Sequence, residues 1–325
     1  MKFCLLDSTD VYYNLAVEEY LFETSLEEVF LLWQNSKTVV IGKNQNAFAE
    51  INAEYLDKNN VKLARRITGG GAVYHDEGNV NYSVIIPKAK TEGIDFLSYA
   101  SPVIKALKSL GINVTLSGRN DLVLDSGKKI SGSAQHRVGD RVLHHGTLLF
   151  SSDLNAIESA LNVSQDKLLS KAVKSVKSRV QNLSEVISKD MQIEDFLAYL
   201  SAFIISELKA EIFFVEPNEK ITWLEQRNKS IGWLYPEKDY LSKYQTVKKK
   251  RYDFGNVELN LNMKNNEILS LKITGDFFEL LPVCHFEKLF DNAPLSSLKF
   301  ILENHNVGDY ILGMKNEEFL ALIKS

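Results

Sequence analysis

The segment at residues 65–76 reads Arg-Arg-Ile-Thr-Gly-Gly-Gly-Ala-Val-Tyr-His-Asp, so two arginines stand next to three consecutive glycines. Glycine adds no side-chain packing and loses more conformational entropy on folding than other residues, so a triplet indicates backbone that approaches another group closely. Neighbouring arginines are typical of sites that bind phosphate or carboxylate, and backbone N–H groups can line the same site. Composition alone leaves open a second interpretation, a sharp bend with two solvated arginines.

The residues after the glycines predict β structure. Two β-rich runs, 73–75 and 80–86, are separated by a turn that contains Gly78, and Pro87 ends the second run. This pattern predicts a β-hairpin. A Walker A loop would end in Gly-Lys-Ser/Thr and a Rossmann turn would open a helix, and neither is found here. Any nucleotide bound by this segment must be held by another geometry.

Length and composition indicate a globular protein with one large domain or two unequal ones. The chain has 325 residues, of which 45% are hydrophobic and 25% charged. A formal charge of −4 argues against a general nucleic-acid binder. No apolar run is long enough for a transmembrane helix, and the first residues predict a strand rather than a signal peptide. Only Cys4 and Cys284 could form a disulfide, and a reduced cytoplasmic protein is the simpler interpretation.

The order of predicted elements favours an α+β fold with a mixed sheet and flanking helices. Strands dominate the first half without strict βαβ alternation. Asn14 is expected to cap a helix over residues 15–22. The basic run 248–251, interpreted as a solvated linker, marks a change in composition. We therefore predict a catalytic domain at residues 1–246 and a small α+β domain at 247–325.

Three further segments carry candidate site residues. Residues 128–134 place two lysines beside Ser-Gly-Ser, although a solvated turn has the same local composition. His144 and His145 are adjacent on a predicted strand, so they point to opposite faces, and the sequence contains no zinc-site spacing. The run 167–179 is basic with no acid between its lysines, which suits either a solvated helix face or a loop over a polyphosphate.

Taken in order, these motifs resemble the lipoate–protein ligases, and the resemblance extends along the whole chain. The motifs that carry it are Arg-Arg-x-Thr-Gly-Gly-Gly-Ala-Val-Tyr-His-Asp at 65–76, Gly-Asn-x-Asn-Tyr-Ser at 78–83, Gly-Arg-Asn-Asp-Leu at 118–122, Lys-Ile-Ser-Gly-Ser-Ala at 129–134, His-His-Gly-Thr-Leu-Leu at 144–149, Ser-Val-Lys-Ser-Arg-Val-x-Asn-Leu at 175–183 and Gly-Asp-Phe-Phe at 275–278.

The resemblance implies a biotin/lipoate ligase-like catalytic domain with an accessory C-terminal domain. It implies that lipoate, or octanoate, reacts with MgATP to give the acyl adenylate and pyrophosphate. The acyl group then passes to a lysine on a lipoyl domain of a 2-oxoacid dehydrogenase or on the glycine cleavage H protein. The expected protein is a cytoplasmic monomer with no nucleic-acid or membrane partner.

The resemblance also implies roles for particular residues. Lys129 is expected to be catalytic, because an ammonium can stabilise the charge that develops in both half-reactions. Asp121 is expected to hold Mg²⁺, which prefers carboxylate oxygens. Tyr74, with Val40, is expected to line the slot for the lipoyl tail. The other residues expected to bind substrate or adenylate are Arg66, Gly70, Gly71, Ala72, Asn79, Asn81, Ser131, Gly132, His145, Gly146, Thr147, Ser178, Arg179 and Val180.

Three other classes of protein could share some of these motifs. An ATP-independent acyltransferase that works through a cysteine thioester would need a nucleophilic cysteine, and the sequence has none between Cys4 and Cys284. A non-catalytic protein that only binds lipoyl domains would be expected to lose the lysine or the glycines, and both are present. A biotin ligase is disfavoured because its Gly-Arg-Gly-Arg type of loop is absent.

Overall fold

The computed structural model describes residues 1–90, 93–162, 179–188, 190–236 and 243–325. The chain forms two compact units. The large unit comprises residues 1–40, 50–64 and 73–230, and the small unit comprises residues 41–49, 65–72 and 231–325. The glycine-rich loop is therefore assigned to the small unit, whereas the predicted domain boundary at 246/247 stays a prediction.

An eight-stranded mixed sheet forms the centre of the large unit, in the order β11-β1-β2-β6-β10-β9-β8-β7. The β1–β2 and β1–β11 pairs are parallel, and the pairs from β2 through β6, β10, β9 and β8 to β7 are antiparallel. Its strands are β1 (Lys2–Leu5), β2 (Val29–Trp33), β6 (Asn79–Ile86), β7 (Val114–Ser117), β8 (Asp121–Leu124), β9 (Lys129–Val138), β10 (Arg141–Leu149) and β11 (Glu211–Ile212).

A second sheet of three strands corrects the predicted hairpin. It consists of β3 (Thr38–Ile41), β4 (Lys62–Arg65) and β5 (Val73–His75) in the order β4-β3-β5. β5 pairs with β3, while β6 pairs with β2 and β10, so the two runs of the expected hairpin belong to different sheets. The Asp76 carboxylate accepts hydrogen bonds from the N–H groups of Gly78 and Asp153. These bonds anchor the turn between β5 and β6 to the residues that follow β10.

Helices cover both faces of the large sheet. On one face α4 (Phe96–Ser109) and α6 (Ile193–Leu208) pack on the main apolar core. On the other face lies α1 (Val11–Thr24), which packs against α7 (Glu219–Lys229). The prediction that Asn14 caps α1 is wrong, because Asp10 accepts the N–H groups of Tyr12 and Tyr13 at the helix start. The shorter helices of this unit are α3 (Ala53–Lys58), α5 (Leu154–Ala160) and the 3₁₀ turn Leu183–Glu185.

The small unit contains a four-stranded sheet in the order β12-β13-β14-β15 with its own apolar core. The basic run 248–251 lies within an edge strand and is not a linker, which corrects the prediction. The run forms a strand because its backbone pairs with β13. The Lys248 ammonium also donates to the Ile323 carbonyl at 2.7 Å, so its aliphatic chain lies along the protein surface. The elements are β12 (Thr246–Tyr252), β13 (Gly255–Lys264), β14 (Glu267–Gly275), β15 (Ala293–Pro294), α8 (Ile231–Leu234), α9 (Val283–Glu287), α10 (Leu298–Asn304), α11 (Asn316–Lys324) and the 3₁₀ turns Lys288–Phe290, Leu295–Ser297 and Val307–Asp309. The helix α2 (Ala47–Glu50) lies at the junction of the two units along the chain.

Candidate functional site

One face of the large sheet carries a row of residues from five neighbouring strands, and four of the five are predicted site residues. Asn81 on β6 is in register with Trp33 on β2 and with Thr147 on β10. The Gly132 N–H on β9 donates to Thr147 Oγ1 at 3.2 Å, and Gly132 is in register with Asp121 on β8. Because residues directly opposite each other in a sheet share a face, these five residues form one lateral row, which we call the site row.

A lysine–carboxylate pair lies at the Asp121 end of the site row. Lys129 Nζ is 2.7 Å from Asp121 Oδ1, and each side chain is 35% exposed. A Cβ added to Gly132 would lie 2.9 Å from that ammonium nitrogen, so glycine here leaves the room that Lys129 occupies. The ammonium is thus positioned by a carboxylate and still reaches solvent, which is what a group that stabilises charge on a bound substrate requires.

The segment after residue 178 is attached to the backbone of the same lysine. The Gln181 N–H donates to the Lys129 carbonyl at 2.9 Å, and Val180 forms a parallel bridge with Lys129. Val180 is half-buried and Arg179 is exposed. Ser178, the third residue expected in the adenylate loop, lies outside the described residues.

Two buried asparagines have hydrogen-bonding groups left over. Asn79 Nδ2 donates to Asn81 Oδ1 at 3.0 Å, and both side chains are almost fully buried. Within the described ranges, Asn79 Oδ1 and Asn81 Nδ2 make no hydrogen bond. Buried polar groups in folded proteins nearly always have partners, so this donor and this acceptor are available to a water or to a bound molecule.

A second row next to the site row contains the predicted residue His145 and an acid that sequence reasoning missed. His145 on β10 is in register with Ser83 on β6. Glu18 of α1, 1% exposed, accepts from Ser83 Oγ at 2.5 Å and from His145 Nδ1 at 2.9 Å. Trp33 Nε1 donates to Ser83 Oγ at 2.9 Å. The sequence did not single out Glu18, because buried residues lie all around α1 and the neighbouring Glu19 is equally acidic.

Three other predicted residues of the large unit have packing roles or lie apart from the site row. Gly146 faces the opposite side of the sheet, where an added Cβ would lie 2.5 Å from the Tyr82 ring. Ser131 is fully buried opposite Leu122. Tyr74 belongs to the three-stranded sheet and lines a cavity of about 380 Å³ with Asp76 and Asp153. Burial next to the Asp76 carboxylate raises the pKa of Tyr74, so its hydroxyl stays protonated.

The glycine-rich loop of the small unit is shaped by its own arginine. The Arg66 guanidinium donates to the carbonyls of Gly69 and Gly71 at 2.7 and 2.9 Å and to the Thr68 hydroxyl at 2.8 Å. Gly70 has a φ of 90°, which favours glycine, and its N–H donates to the Phe277 carbonyl. Gly71 and Ala72 are half-buried. In this structure Arg66 holds the loop, and its predicted contact with substrate stays a prediction.

The described residues do not present a cysteine nucleophile at the site row. Cys4 lies on β1, four strands away from β9 in the sheet order. Burial raises the pKa of its thiol to about 11, so the reactive thiolate is disfavoured. Cys284 is in the small unit, and both cysteines are free.

Among the described residues, no cluster of three or more histidine, cysteine or acidic side chains could hold a metal ion by itself. Within these residues Asp121 offers one carboxylate. No helix in the described ranges has the length and apolar character needed to cross a bilayer.

Comparison with known protein families matches two models to the chain. Residues 10–205 match the lipoyl protein ligase A/B catalytic domain, and residues 242–323 match the bacterial lipoate protein ligase C-terminus. The chain is 37% identical over 322 residues to lipoate-protein ligase LplJ of Bacillus subtilis, covering 95% of this chain and 96% of that one. It is also 37% identical over 284 residues to lipoate–protein ligase 1 of Staphylococcus aureus, covering 86% and 85%.

Solved structures share the fold. The P. falciparum protein LipL1, crystallised in complex with lipoate, superposes with a TM-score of 0.79 at 24% identity and covers 99% of this chain and 98% of its own. A bipartite lipoate protein ligase from Thermoplasma acidophilum, described with its E2 lipoyl domain, gives a TM-score of 0.62 at 27% identity and covers 72% and 95%.

Fold and site together define an α+β protein whose large sheet carries a partly exposed lysine–carboxylate pair, the arrangement of an enzyme that stabilises charge on a bound substrate. The chain belongs to the lipoyl protein ligase A/B family. Three predictions are therefore confirmed: that the protein is a lipoate–protein ligase, that it is an ATP-dependent enzyme, and that it has this fold.

Proposed function

We propose that this protein joins lipoate to ATP at the site row, releases pyrophosphate, and then transfers the lipoyl group from AMP to a lysine of an acceptor protein. The observation that supports this most strongly is the Lys129 ammonium, which is fixed by Asp121 and still accessible beside Gly132. The 37% identical relatives, named lipoate–protein ligases, support the same chemistry.

Lys129 serves both half-reactions through its charge. In the first, a lipoate carboxylate oxygen bonds to the α-phosphorus, and the bond to the bridging oxygen breaks to release pyrophosphate. In the second, the acceptor amine attacks the acyl carbon, loses a proton, and AMP leaves with the electron pair of the broken C–O bond. Negative charge builds on phosphate or acyl oxygens in both steps, and a preorganised ammonium stabilises it without covalent participation.

Asp121 is the residue that would hold Mg²⁺. The donor set fits the ion, because nucleotide-bound Mg²⁺ commonly takes one or two carboxylates and completes its shell with phosphate oxygens and water. When bound, the ion neutralises triphosphate charge. The same carboxylate also orients Lys129, so Asp121 links the metal site to the catalytic ammonium.

The remaining binding roles follow from placement. The orphan groups of Asn79 and Asn81 suit a polar part of the adenylate, and Arg179 and Val180 begin the segment held against Lys129. Arg66 supports the glycine-rich loop, and the binding roles of Arg66, Gly70, Gly71 and Ala72 are proposed from the sequence motif alone. Lipoate, and octanoate as the analogue without the two sulfur atoms, bind with their carboxylates toward Lys129.

The acceptors that we propose are lipoyl domains of 2-oxoacid dehydrogenases and the glycine cleavage H protein. A solved relative is described together with an E2 lipoyl domain, which supports a carrier of this kind. We also propose a cytoplasmic monomer with a catalytic domain over residues 1–246 and an accessory domain over 247–325. Two free cysteines are consistent with a reducing compartment.

Direct detection of the acyl adenylate tests the first half-reaction. The purified protein is incubated with lipoate, ATP and Mg²⁺, and lipoyl-AMP and pyrophosphate are measured by mass spectrometry and a coupled assay. We expect both products in equal amounts, and neither after ATP is omitted or Mg²⁺ is removed with EDTA. Acyl transfer that continues without ATP would show instead a transferase that needs no adenylate.

A further inference from the structure

We propose that the cavity of about 380 Å³ beside Tyr74 binds a small organic cation that carries a primary ammonium or guanidinium group. Every residue that lines this cavity belongs to the large unit, and none of them is part of the site row. The cavity is therefore a separate binding site, and the proposal does not depend on the ligase reaction.

The cavity lies between the three-stranded sheet and two short helices. Tyr74 of β5 lines it from the sheet, Tyr55 of α3 from one helix and Ala156 of α5 from the other. The turns before β3 and β6 contribute Lys37 and Glu77. Pockets that hold small molecules have volumes of about 300–1,000 Å³, so this cavity is large enough for a compact organic ligand.

Tyr74 brings a buried polar group to the cavity. The residue is only 4% exposed, and its hydroxyl makes no hydrogen bond to any other residue that the structure describes. Burial, and then the charge of the Asp76 carboxylate, raises the pKa of Tyr74, so the hydroxyl keeps its proton. Because buried hydroxyl groups nearly always have a partner, the partner of this one has to come from the contents of the cavity.

The charges around this hydroxyl are mainly negative. The cavity is lined by the carboxylates of Asp76, Glu77 and Asp153 and by one ammonium, that of Lys37. Within the described ranges none of these four groups forms a salt bridge. Asp76 is only 7% exposed, and its oxygens accept the N–H groups of Gly78 and Asp153 at 3.0 and 2.8 Å. Backbone N–H groups carry only partial charge, so a cation in the cavity would neutralise charge that the protein leaves uncompensated.

The spacing of the acids favours an organic cation over a metal ion. Among the residues that the structure describes, no three acidic, histidine or cysteine side chains converge closely enough to hold a metal. An ammonium group has three N–H donors, which suffice for the Tyr74 oxygen and two carboxylates. The rings of Tyr55 and Tyr74 add faces that attract cations.

Two probes of the same length test the class of ligand. Cadaverine is a linear diamine, and 1,5-pentanediol is its uncharged analogue. In ¹³C-tyrosine NMR spectra of the full chain, Tyr55 and Tyr74 are assigned among the 13 tyrosines with Tyr-to-Phe variants. We expect saturable shifts of both signals with cadaverine and none with the diol. Equal shifts with both probes, or no shift with cadaverine, would overturn the proposal, as would a shift of Tyr74 with octanoate alone.

Two substitutions of opposite sign test the charge argument. Glu77 and Lys37 are exposed, and neither side chain has a partner among the described residues, so both variants should fold. In calorimetric titrations with cadaverine, Glu77→Gln should raise the Kd about threefold, and Lys37→Gln should lower it about threefold.

Glu28→Gln is the matched control for these charge changes. Glu28 is an exposed acid that precedes β2, whereas the Glu77 carbonyl accepts from Gln34, which follows β2. At equal ionic strength Glu28→Gln should change the Kd by less than about 1.5-fold, because salt screens charges that lie more than about 10 Å apart. Equal effects of Glu77→Gln and Glu28→Gln would reveal a general attraction to an acidic protein and would refute the site.

Tyr74→Phe separates a binding role from a structural one. It removes only a hydroxyl without a described partner, so the melting temperature should not fall, while the Kd for cadaverine should rise about fivefold. Tyr82→Phe is its control, since that hydroxyl lies 3.3 Å from Ser133 Oγ and 3.4 Å from His144 Nε2. It should lower the melting temperature and leave the Kd unchanged. A Tyr74→Phe protein that is less stable but binds cadaverine normally would overturn the proposal.

Discussion

The two faces of the large sheet use the same strands for opposite purposes. On the face covered by α4 and α6, His144 lies among aromatic rings, contacts Gln135 and Tyr82, and is completely buried. On the other face the next residue, His145, contacts the Glu18 carboxylate, and the neighbouring row carries Asn81, whose Nδ2 makes no hydrogen bond within the described residues. Alternation along a strand separates them, so one face is built for packing and the other has polar groups that a bound molecule or a water can complete.

The largest expected effect is on the site face, at Lys129. Lys129→Ala should lower lipoyl-AMP formation about a hundred- to a thousand-fold, because the charge that stabilises the reacting oxygens is removed. The melting temperature should change little, since the side chain is 35% exposed. Lys128→Ala is the matched control, because alternation turns that lysine away from Asp121, and it should retain activity. A fully active Lys129→Ala variant would contradict the role assigned to the ammonium.

Two glycines give the sharpest contrast between the faces. In Gly146→Ala the new Cβ meets the buried Tyr82 ring at 2.5 Å, and overpacking of this kind should cost about 1–3 kcal/mol of unfolding free energy. In Gly132→Ala it meets the flexible end of Lys129 at 2.9 Å, so stability should hold while adenylation falls. Denaturant unfolding and the lipoyl-AMP assay measure both, and equal destabilisation of the two variants would erase the distinction.

Asn79 and Asn81 test whether buried polar groups on the site face serve binding more than stability. Replacing both Asn79 and Asn81 by Leu removes the orphan groups together with their mutual hydrogen bond, so the unfolding free energy should change by less than about 1 kcal/mol. Lipoyl-AMP formation should fall about tenfold. A double variant with normal activity would show that a bound molecule does not complete this pair.

The last effect concerns His144 on the packed face and appears only as the pH falls. Burial lowers the pKa of His144 from 6.5 to about 3, so the folded protein binds this proton less readily than the unfolded chain. Its contribution to stability is therefore full above pH 6.5 and is lost as the pH falls toward 3. His144→Gln should flatten the dependence of the melting temperature on pH between 7 and 4. An unchanged slope would mean that other groups dominate this range.

Local patterns predicted some strands around the site row, whereas the roles of the row's residues stay predictions. The strand at Lys129 and the adjacent histidines follow from alternation and need no knowledge of distant pairing. Elements that depend on long-range contacts were harder to predict. The expected hairpin failed because Asp76 ties the turn to Asp153, and Glu18 was missed because its partners, Ser83 and His145, are far away in sequence.

The basic strand β12 shows the same limit. Four cations in a row suggest a solvated linker, yet cross-strand pairing with β13 and a carbonyl partner for Lys248 make this segment the edge of a sheet. The residue type of Asn14 predicts a helix cap. In the structure Asp10 caps the helix and Asn14 is buried. In both cases tertiary contacts outweighed the local preference.

The central claim is tested most directly by intact-mass spectrometry of acceptor proteins. An apo lipoyl domain of a 2-oxoacid dehydrogenase and an apo H protein are each incubated with the enzyme, lipoate, ATP and Mg²⁺. We predict a mass gain of one lipoyl group on at least one acceptor, only when ATP and Mg²⁺ are present. Acceptors that keep their apo mass, together with the absence of lipoyl-AMP, would contradict the account.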